Sequence, residues 1–212
     1  MSLWIGVDVG GTYTDLVAID SAGRIETRKV LSTPADQSEG VIEALRALAR
    51  PNVERFVHGT TVATNMLLER KGARVAFCVT RGFTDLLYLR RQNRASLYDL
   101  AADYPPPLAP RELTGAVPER VEPQGVTLPL TPEAADLVAE QIAELKPDIV
   151  AVLLLHAYRD AGHEQLLQAA IRRRLPDTDV VLSSDVFPEI REYERASTTV
   201  AEAYLRPGVG KY

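Results

Sequence analysis

Asp8-Val9-Gly10-Gly11-Thr12-Tyr13-Thr14-Asp15 is the stretch on which the reading of this 212-residue chain turns. Before it, Ile5, Val7 and Val9 alternate on one face of a strand predicted over Leu3 to Val9. After it, Thr14 to Asp20 reads as a second strand and Ile25 to Leu31 as a third, following the turn Ser21-Ala22-Gly23. Three short β runs joined by tight turns predict an antiparallel meander. At the first turn the glycines let backbone N–H groups approach a ligand, and the hydroxyls of Thr12 and Thr14 add donors for phosphate oxygens. Asp8, at a strand end, suits Mg²⁺ held through its water shell, because that ion takes one or two carboxylates together with waters and phosphates. Gly-Gly alone is a common hairpin turn; an acid before the glycines and two threonines after them point to phosphate. The segment lacks the Gly-Lys-Ser/Thr of a P-loop. It also lacks the glycine spacing of a dinucleotide-binding turn, where a helix rather than a strand would follow.

Helices and strands then alternate along the chain. Thr33-Pro34-Ala35-Asp36 reads as an N-cap, a proline at the first helical position and an acid in the first turn, leading into Val41, Ile42, Leu45, Leu48 and Ala49. Pro51 stops that helix. A strand over Glu54 to Val57, a helix over Thr61 to Arg70 ending at Gly72 and a strand over Ala73 to Val79 follow. From Tyr104 to Pro132 eight of the fourteen prolines accumulate, which excludes a regular helix or a central strand. The interspersed Leu108, Leu113, Val117, Val121, Val126 and Leu128 favour an ordered excursion over a loose linker. Thr131-Pro132-Glu133 repeats the cap signature before a helix with Val138, Ile142 and Leu145 on one stripe. Ile149 to Leu155 reads as a strand covered on both faces, Gly162 to Arg174 as a helix, Val180 to Leu182 as a strand and Glu192 to Leu205 as a final helix. The pattern is that of a mixed α/β sheet layered with helices.

Composition sets the outer limits. With 46% hydrophobic and 25% charged residues, 24 Lys plus Arg and 29 Asp plus Glu, the chain is an ordinary globular one with a formal charge of −5. A broad nucleic-acid or anionic-membrane surface is disfavoured, since neutralising phosphates needs an excess of basic residues. Cys78 is the single cysteine, which excludes a disulfide scaffold, and its apolar setting reads as core. No apolar run reaches the length of a spanning helix, and Met-Ser-Leu-Trp-Ile-Gly at the start has no signal-peptide pattern, so the expected location is cytoplasmic.

Four further groups carry possible chemistry. His58-Gly59-Thr60-Thr61 is a strand end turning into a helix; the residues suit an anion or an oxyanion, and equally an ordinary helix cap. Arg90, Arg91 and Arg94 form a basic cluster open to a phosphate, a carboxylate, a partner subunit or solvent. Glu192, Glu194 and Arg195 with Ser197, Thr198 and Thr199 read as a charged helix start or as acid, base and hydroxyl groups. His156 and His163 have no neighbours at metal-ligand spacing, which favours structural roles.

Asp8 to Asp15 resembles the first phosphate loop of the superfamily of actin, sugar kinases and heat-shock ATPases. His58-Gly59-Thr60-Thr61-Val62-Ala63-Thr64-Asn65, Arg81-Gly82-Phe83-Thr84-Asp85, Leu97-Tyr98-Asp99-Leu100, His163-Glu164 and Glu192-Tyr193-Glu194-Arg195-Ala196-Ser197-Thr198-Thr199 narrow the likeness. In that order they resemble the N-terminal region of the hydantoinase A/5-oxoprolinase family, which includes acetone and acetophenone carboxylase subunits. The resemblance covers almost the whole chain. One departure stands out: Tyr88 and Arg90 occupy places where the family commonly has an acid and a glycine ahead of Arg91-Gln92.

The resemblance implies an α/β, actin-like (ribonuclease H-like) N-terminal domain over residues 1–212, with the proline-rich excursion at 104–132 and the second actin-like domain absent. It implies a parent enzyme that uses ATP and Mg²⁺ to phosphorylate a cyclic amide or carbonyl oxygen of a small substrate. Asp8 would position Mg²⁺; Gly10, Gly11, Thr12 and Thr14 would cradle phosphate; Asp15, His58 and Glu194 are the candidates for a base. Members of the superfamily bind nucleotide between two domains, so the chain alone is expected to turn over nothing, and a second subunit is a further expected partner. The alternatives are a sugar or acyl kinase of the same superfamily and a non-catalytic domain that binds a partner.

Overall fold

A computed structural model describes residues 2–33, 37–48 and 53–211. The Pro34-Ala35-Asp36 helix start, Ala49 of the expected apolar stripe and the Pro51 stop lie outside the described residues. The chain divides into two compact units, residues 1–72 with 207–212, and residues 73–206.

The first unit contains β1 (Leu3–Val9), β2 (Tyr13–Asp20), β3 (Ile25–Leu31), α1 (Gln37–Ala47), β4 (Val53–Thr60) and α2 (Val62–Leu68). Its sheet runs in the order β3-β2-β1-β4: the first three strands form the antiparallel meander, and β4 returns through α1 to lie parallel to β1. Alternation decides which side chains are covered. Leu3, Ile5, Val7 and Val9 of β1 and Leu16 and Ala18 of β2 pack against Ala44 of α1 and Leu48 just beyond it, while Trp4, Asp8, Asp15 and Val17 stay exposed. The strand expected over Glu54 to Val57 is longer, because each added residue gains a parallel partner on β1.

The second unit contains β5 (Val75–Thr80), α3 (Leu86–Leu89), a 3₁₀ turn at Arg111–Leu113, β6 (Thr114–Val117), β7 (Arg120–Glu122) and β8 (Gly125–Leu128). It continues with α4 (Pro132–Glu144), β9 (Ile149–Leu153), α5 (Gly162–Arg174), β10 (Asp179–Leu182), α6 (Ser183–Val186) and the start of α7 (Glu192–Lys211). The later strands form a sheet of their own, all parallel, in the order β10-β9-β5-β6. Every residue of β5 and β9, the two inner strands, is buried, as continuous apolar runs require. The proline-rich stretch is ordered. It supplies the edge strand β6 and the hairpin β7–β8, the positions where prolines around a strand cost no inner ladder bonds. Gly115 of β6 leaves room for α4, since a Cβ there would sit 2.7 Å from Ile142 Cδ1.

Thr131 caps α4 by accepting from Ala134 N at 3.2 Å, with Pro132 next to it, as expected. The expected end of the last helix near Leu205 needs correction. α7 continues through Pro207 to Lys211: the ring's fixed φ can be helical, and the helix carries the cost of one lost N–H and of ring crowding against the Ala203 carbonyl. No helix among the described residues is long and apolar enough to cross a membrane.

Candidate functional site

The β1–β2 turn emerges from strand ends whose inward side chains anchor it. Gly10 N donates to Tyr13 O at 3.0 Å and closes the turn. From the far end of the meander, Ser32 N donates to Thr12 O at 2.9 Å, and Ser32 Oγ donates to Gly10 O at 2.8 Å. From the start of α2, Thr61 donates to Val9 O through its N–H at 3.2 Å and its Oγ1 at 3.3 Å. The Val9, Gly10 and Thr12 carbonyls are thus drawn inward. The N–H groups of Gly11 and Thr12 meet no acceptor among the described residues, and both residues are exposed. Outward amides on a glycine turn are the arrangement that binds an oxyanion.

Asp8 lies beside this turn on the exposed sheet face. Its neighbour on β4 is Gly59, which leaves that side of the carboxylate bare: a Cβ there would only touch Asp8 Oδ1, at 3.4 Å. Across the sheet Asp8 faces Asp15, in direct register on β2. Like charges at opposed positions cost stability, and Lys29 on β3 offsets the cost by donating to both Asp15 oxygens at 2.9 and 3.0 Å, with its ammonium 4.8 Å from the Tyr13 ring centre. Asp8 therefore keeps an open carboxylate next to unpaired amides. No group of three or more His, Cys, Asp or Glu side chains able to hold a metal occurs among the described residues. One exposed carboxylate beside a turn with unpaired amides would fit Mg²⁺, which retains waters and phosphate oxygens as its other ligands.

The other predicted site residues are distributed differently. Thr14 is turned into the core instead of toward the open side of the turn: it alternates in step with the core residues Leu16 and Ala18, is fully buried, and its hydroxyl lies 3.0 Å from Ser32 Oγ. His58 pairs with Val7 across β1 and β4, so it stands on the sheet face opposite Asp8, its ring 6.3 Å from that of Phe56 and nearly parallel to it. In the turn into α2, Val62 N donates to Thr60 Oγ1 at 3.2 Å, while Thr61 at the N-cap makes no side-chain capping bond. Glu194 belongs to the second unit. The Arg91 guanidinium grips its Oε1 with Nε and Nη2, each at 2.7 Å. Its own backbone N–H, and after it Arg91, hold its carboxyl below the usual glutamate range. Arg90 donates to Pro105 O at 2.5 Å and stacks 4.1 Å from the Tyr104 ring centre, so two arginines of the basic cluster are already engaged within the unit.

The second unit has acids, hydroxyls and a histidine at the carboxyl ends of its parallel strands, and they bond to one another. Leu155 N donates to Thr80 Oγ1 at 3.0 Å, Thr80 Oγ1 donates to Glu119, His163 Nδ1 lies 2.8 Å from Glu119 Oε2, and Leu130 N donates to His163 Nε2 at 3.2 Å. Since Nε2 accepts, the imidazole is the neutral tautomer that donates from Nδ1. Beside it, Glu164 accepts from Leu154 N at 2.9 Å, Ser183 Oγ at 2.6 Å and Ser184 N at 3.0 Å. Arg195 Nη2 donates to Ser183 Oγ and, at 3.2 Å, to Leu154 O, while Glu164 Oε1 stands 3.8 Å away. Arg195 Nε and Nη1 have no partner among the described residues and are sealed from solvent. Burial pulls the Arg195 pKa below its usual value against the opposing pull of Glu164. Cys78 is fully buried and its thiol is pushed up to about 12 by desolvation, which suits a core residue.

Comparison with known proteins adds a lineage to this geometry. The chain is 35% identical to caprolactamase subunit alpha of Pseudomonas jessenii over 98% of its own length and 32% of that protein's. It is 29% identical to 5-oxoprolinase 1 of Arabidopsis thaliana, over 97% of its length and 19% of the plant protein's. The crystal structure of the ATP-dependent caprolactamase superposes on all of the chain and 32% of the solved one, with a TM-score of 0.84 and 34% identity. A nucleotide-free acetone carboxylase superposes with a TM-score of 0.86 and 26% identity, over the whole chain and 33% of its own. The chain thus spans about a third or less of the length of the relatives it matches. A family model described as the hydantoinase/oxoprolinase N-terminal region matches residues 4–175, and the chain belongs to that family.

Proposed function

We propose that this chain carries the phosphate-binding turn of an ATP-dependent enzyme that activates the carbonyl or amide oxygen of a small, often cyclic, substrate by phosphorylation. The observation that carries the proposal is the β1–β2 turn, with its two unpaired outward amides next to the open carboxylate of Asp8. The relatives support ATP use, since the caprolactamase and the acetone carboxylase are both described as ATP-dependent.

In this reading the substrate oxygen attacks the γ-phosphorus of ATP and the bond from that phosphorus to its bridging oxygen breaks, releasing ADP. In a cyclic amide, water then adds at the activated carbon, the C–N bond opens and a second water releases phosphate. The N–H groups of Gly11 and Thr12 hold phosphate oxygens, and Asp8 holds Mg²⁺ through water. That ion would supply charge neutralisation, which with positioning makes up most of the catalysis of phosphoryl transfer. The net charge of −5 makes these local donors necessary, because the chain offers ATP no general attraction. Of the three candidate bases, only Asp15 shares a sheet face with Asp8. The adenosine and the substrate belong to a second actin-like domain and to a companion subunit.

ATP hydrolysis by the complete enzyme, measured with hydantoins, 5-oxoproline, small ketones and sugars in turn, tests the reading. Stimulation by a cyclic amide or ketone is the expected result; stimulation by sugars alone would replace it with a kinase.

A further inference from the structure

Ser32 lies just beyond β3, distant in sequence from the glycine turn, and no motif marks it. It is nevertheless buried against the turn and grips it on both sides of Gly11, through its N–H to Thr12 O and its Oγ–H to Gly10 O. A serine hydroxyl has one proton. With that proton on Gly10 O, the 3.0 Å contact with Thr14 must run the other way, from Thr14 Oγ1–H to Ser32 Oγ. The result is a directed chain of hydrogen bonds from Thr14 to Ser32 to the Gly10 carbonyl.

The direction matters because the Gly10 carbonyl and the Gly11 N–H belong to one trans peptide plane and point opposite ways. Drawing the carbonyl inward turns the N–H outward. That plane joins two glycines, the residues with the least steric resistance to its rotation. Without the hydroxyl, the same peptide can turn over and present its carbonyl, a like-charged dipole end, to an incoming phosphate.

We propose that Ser32 is the positioning residue of the phosphate site: it holds the Gly10–Gly11 peptide in the orientation that aims the Gly11 N–H at an oxyanion. The inference rests on the phosphate reading of the turn and adds the residue that sets its geometry.

The test is a titration of the ¹⁵N-labelled chain with magnesium tripolyphosphate, followed through the amide resonances of Gly11 and Thr12. Wild type is expected to bind in the millimolar range with shifts at those two amides. Ser32→Ala is expected to weaken binding about tenfold, as loss of one orienting hydrogen bond implies, and Ser32→Thr, which keeps the hydroxyl, to restore it. Ile5→Val, which loosens the core of the same sheet without touching the turn, is expected to lower the melting temperature and leave the affinity alone. Wild-type affinity in Ser32→Ala, or equal weakening in Ile5→Val, would overturn the assignment of Ser32 while the phosphate reading stands. Absence of any Gly11 or Thr12 shift in wild type would overturn both.

Discussion

Two regions of this molecule hold the same kinds of residue at strand ends and differ in what those residues have left to bind. At the β1–β2 turn Asp8, Gly11 and Thr12 stand exposed, with two amides unpaired and the Asp8 carboxylate open. At the carboxyl ends of β5, β9 and β10, Glu119, Glu164, Thr80, Ser183 and His163 are bonded to each other and to the backbone, and all but His163 are buried. Residue type does not separate a site from a scaffold. Hydrogen-bonding capacity left open to solvent does. By that criterion the first region keeps capacity free for a ligand, and the second uses its own to hold its sheet ends in place.

Removing a closed group should cost stability, and removing an open one should cost binding. The largest effect is expected from Glu164→Ala, which strands Leu154 N, Ser184 N and a buried Arg195 at once. Breaking a buried pair from one side costs about 3–5 kcal/mol, so urea denaturation should show the second unit losing most of its stability; a loss near that of a surface substitution would mean that the region is not closed. The smallest effect is expected from Arg91→Ala. Because the Glu194 pKa is lowered in the folded state, its contribution is present above the ordinary glutamate value and fades as pH falls through the lowered one. Without Arg91, the ¹³C titration of the Glu194 carboxyl should move up only part of the way, since its own backbone N–H remains the larger cause. An unmoved titration would remove the Arg91 contact from the account.

Much of this was legible in the sequence, for identifiable reasons. The meander, the doubly covered β9, the Thr131 cap and the core setting of Cys78 follow from periodicity and local chemistry, which need no partner to be known. Thr14 could have been placed by the same rule, because it shares its alternation with Leu16 and Ala18 and therefore faces the core. The face taken by His58 depends on how β4 registers on β1 after a helical crossover, and local pattern does not contain that. Ser32 escaped because its bonds reach back 20 and 22 residues, to Thr12 and Gly10, and a lone serine past a strand has no signature. The separation of the strands into two sheets escaped for a similar reason: alternation tells which face of a strand is covered but not which strands pair.

Whether the open region serves phosphate chemistry is decided by Asp8→Ala in the complete enzyme. Measured side by side, ATP hydrolysis should fall to background while thermal stability stays within about 0.5 kcal/mol of wild type, as for an exposed residue outside the core. Unchanged ATP turnover in a folded Asp8→Ala enzyme would exclude the β1–β2 turn and its carboxylate from the chemistry.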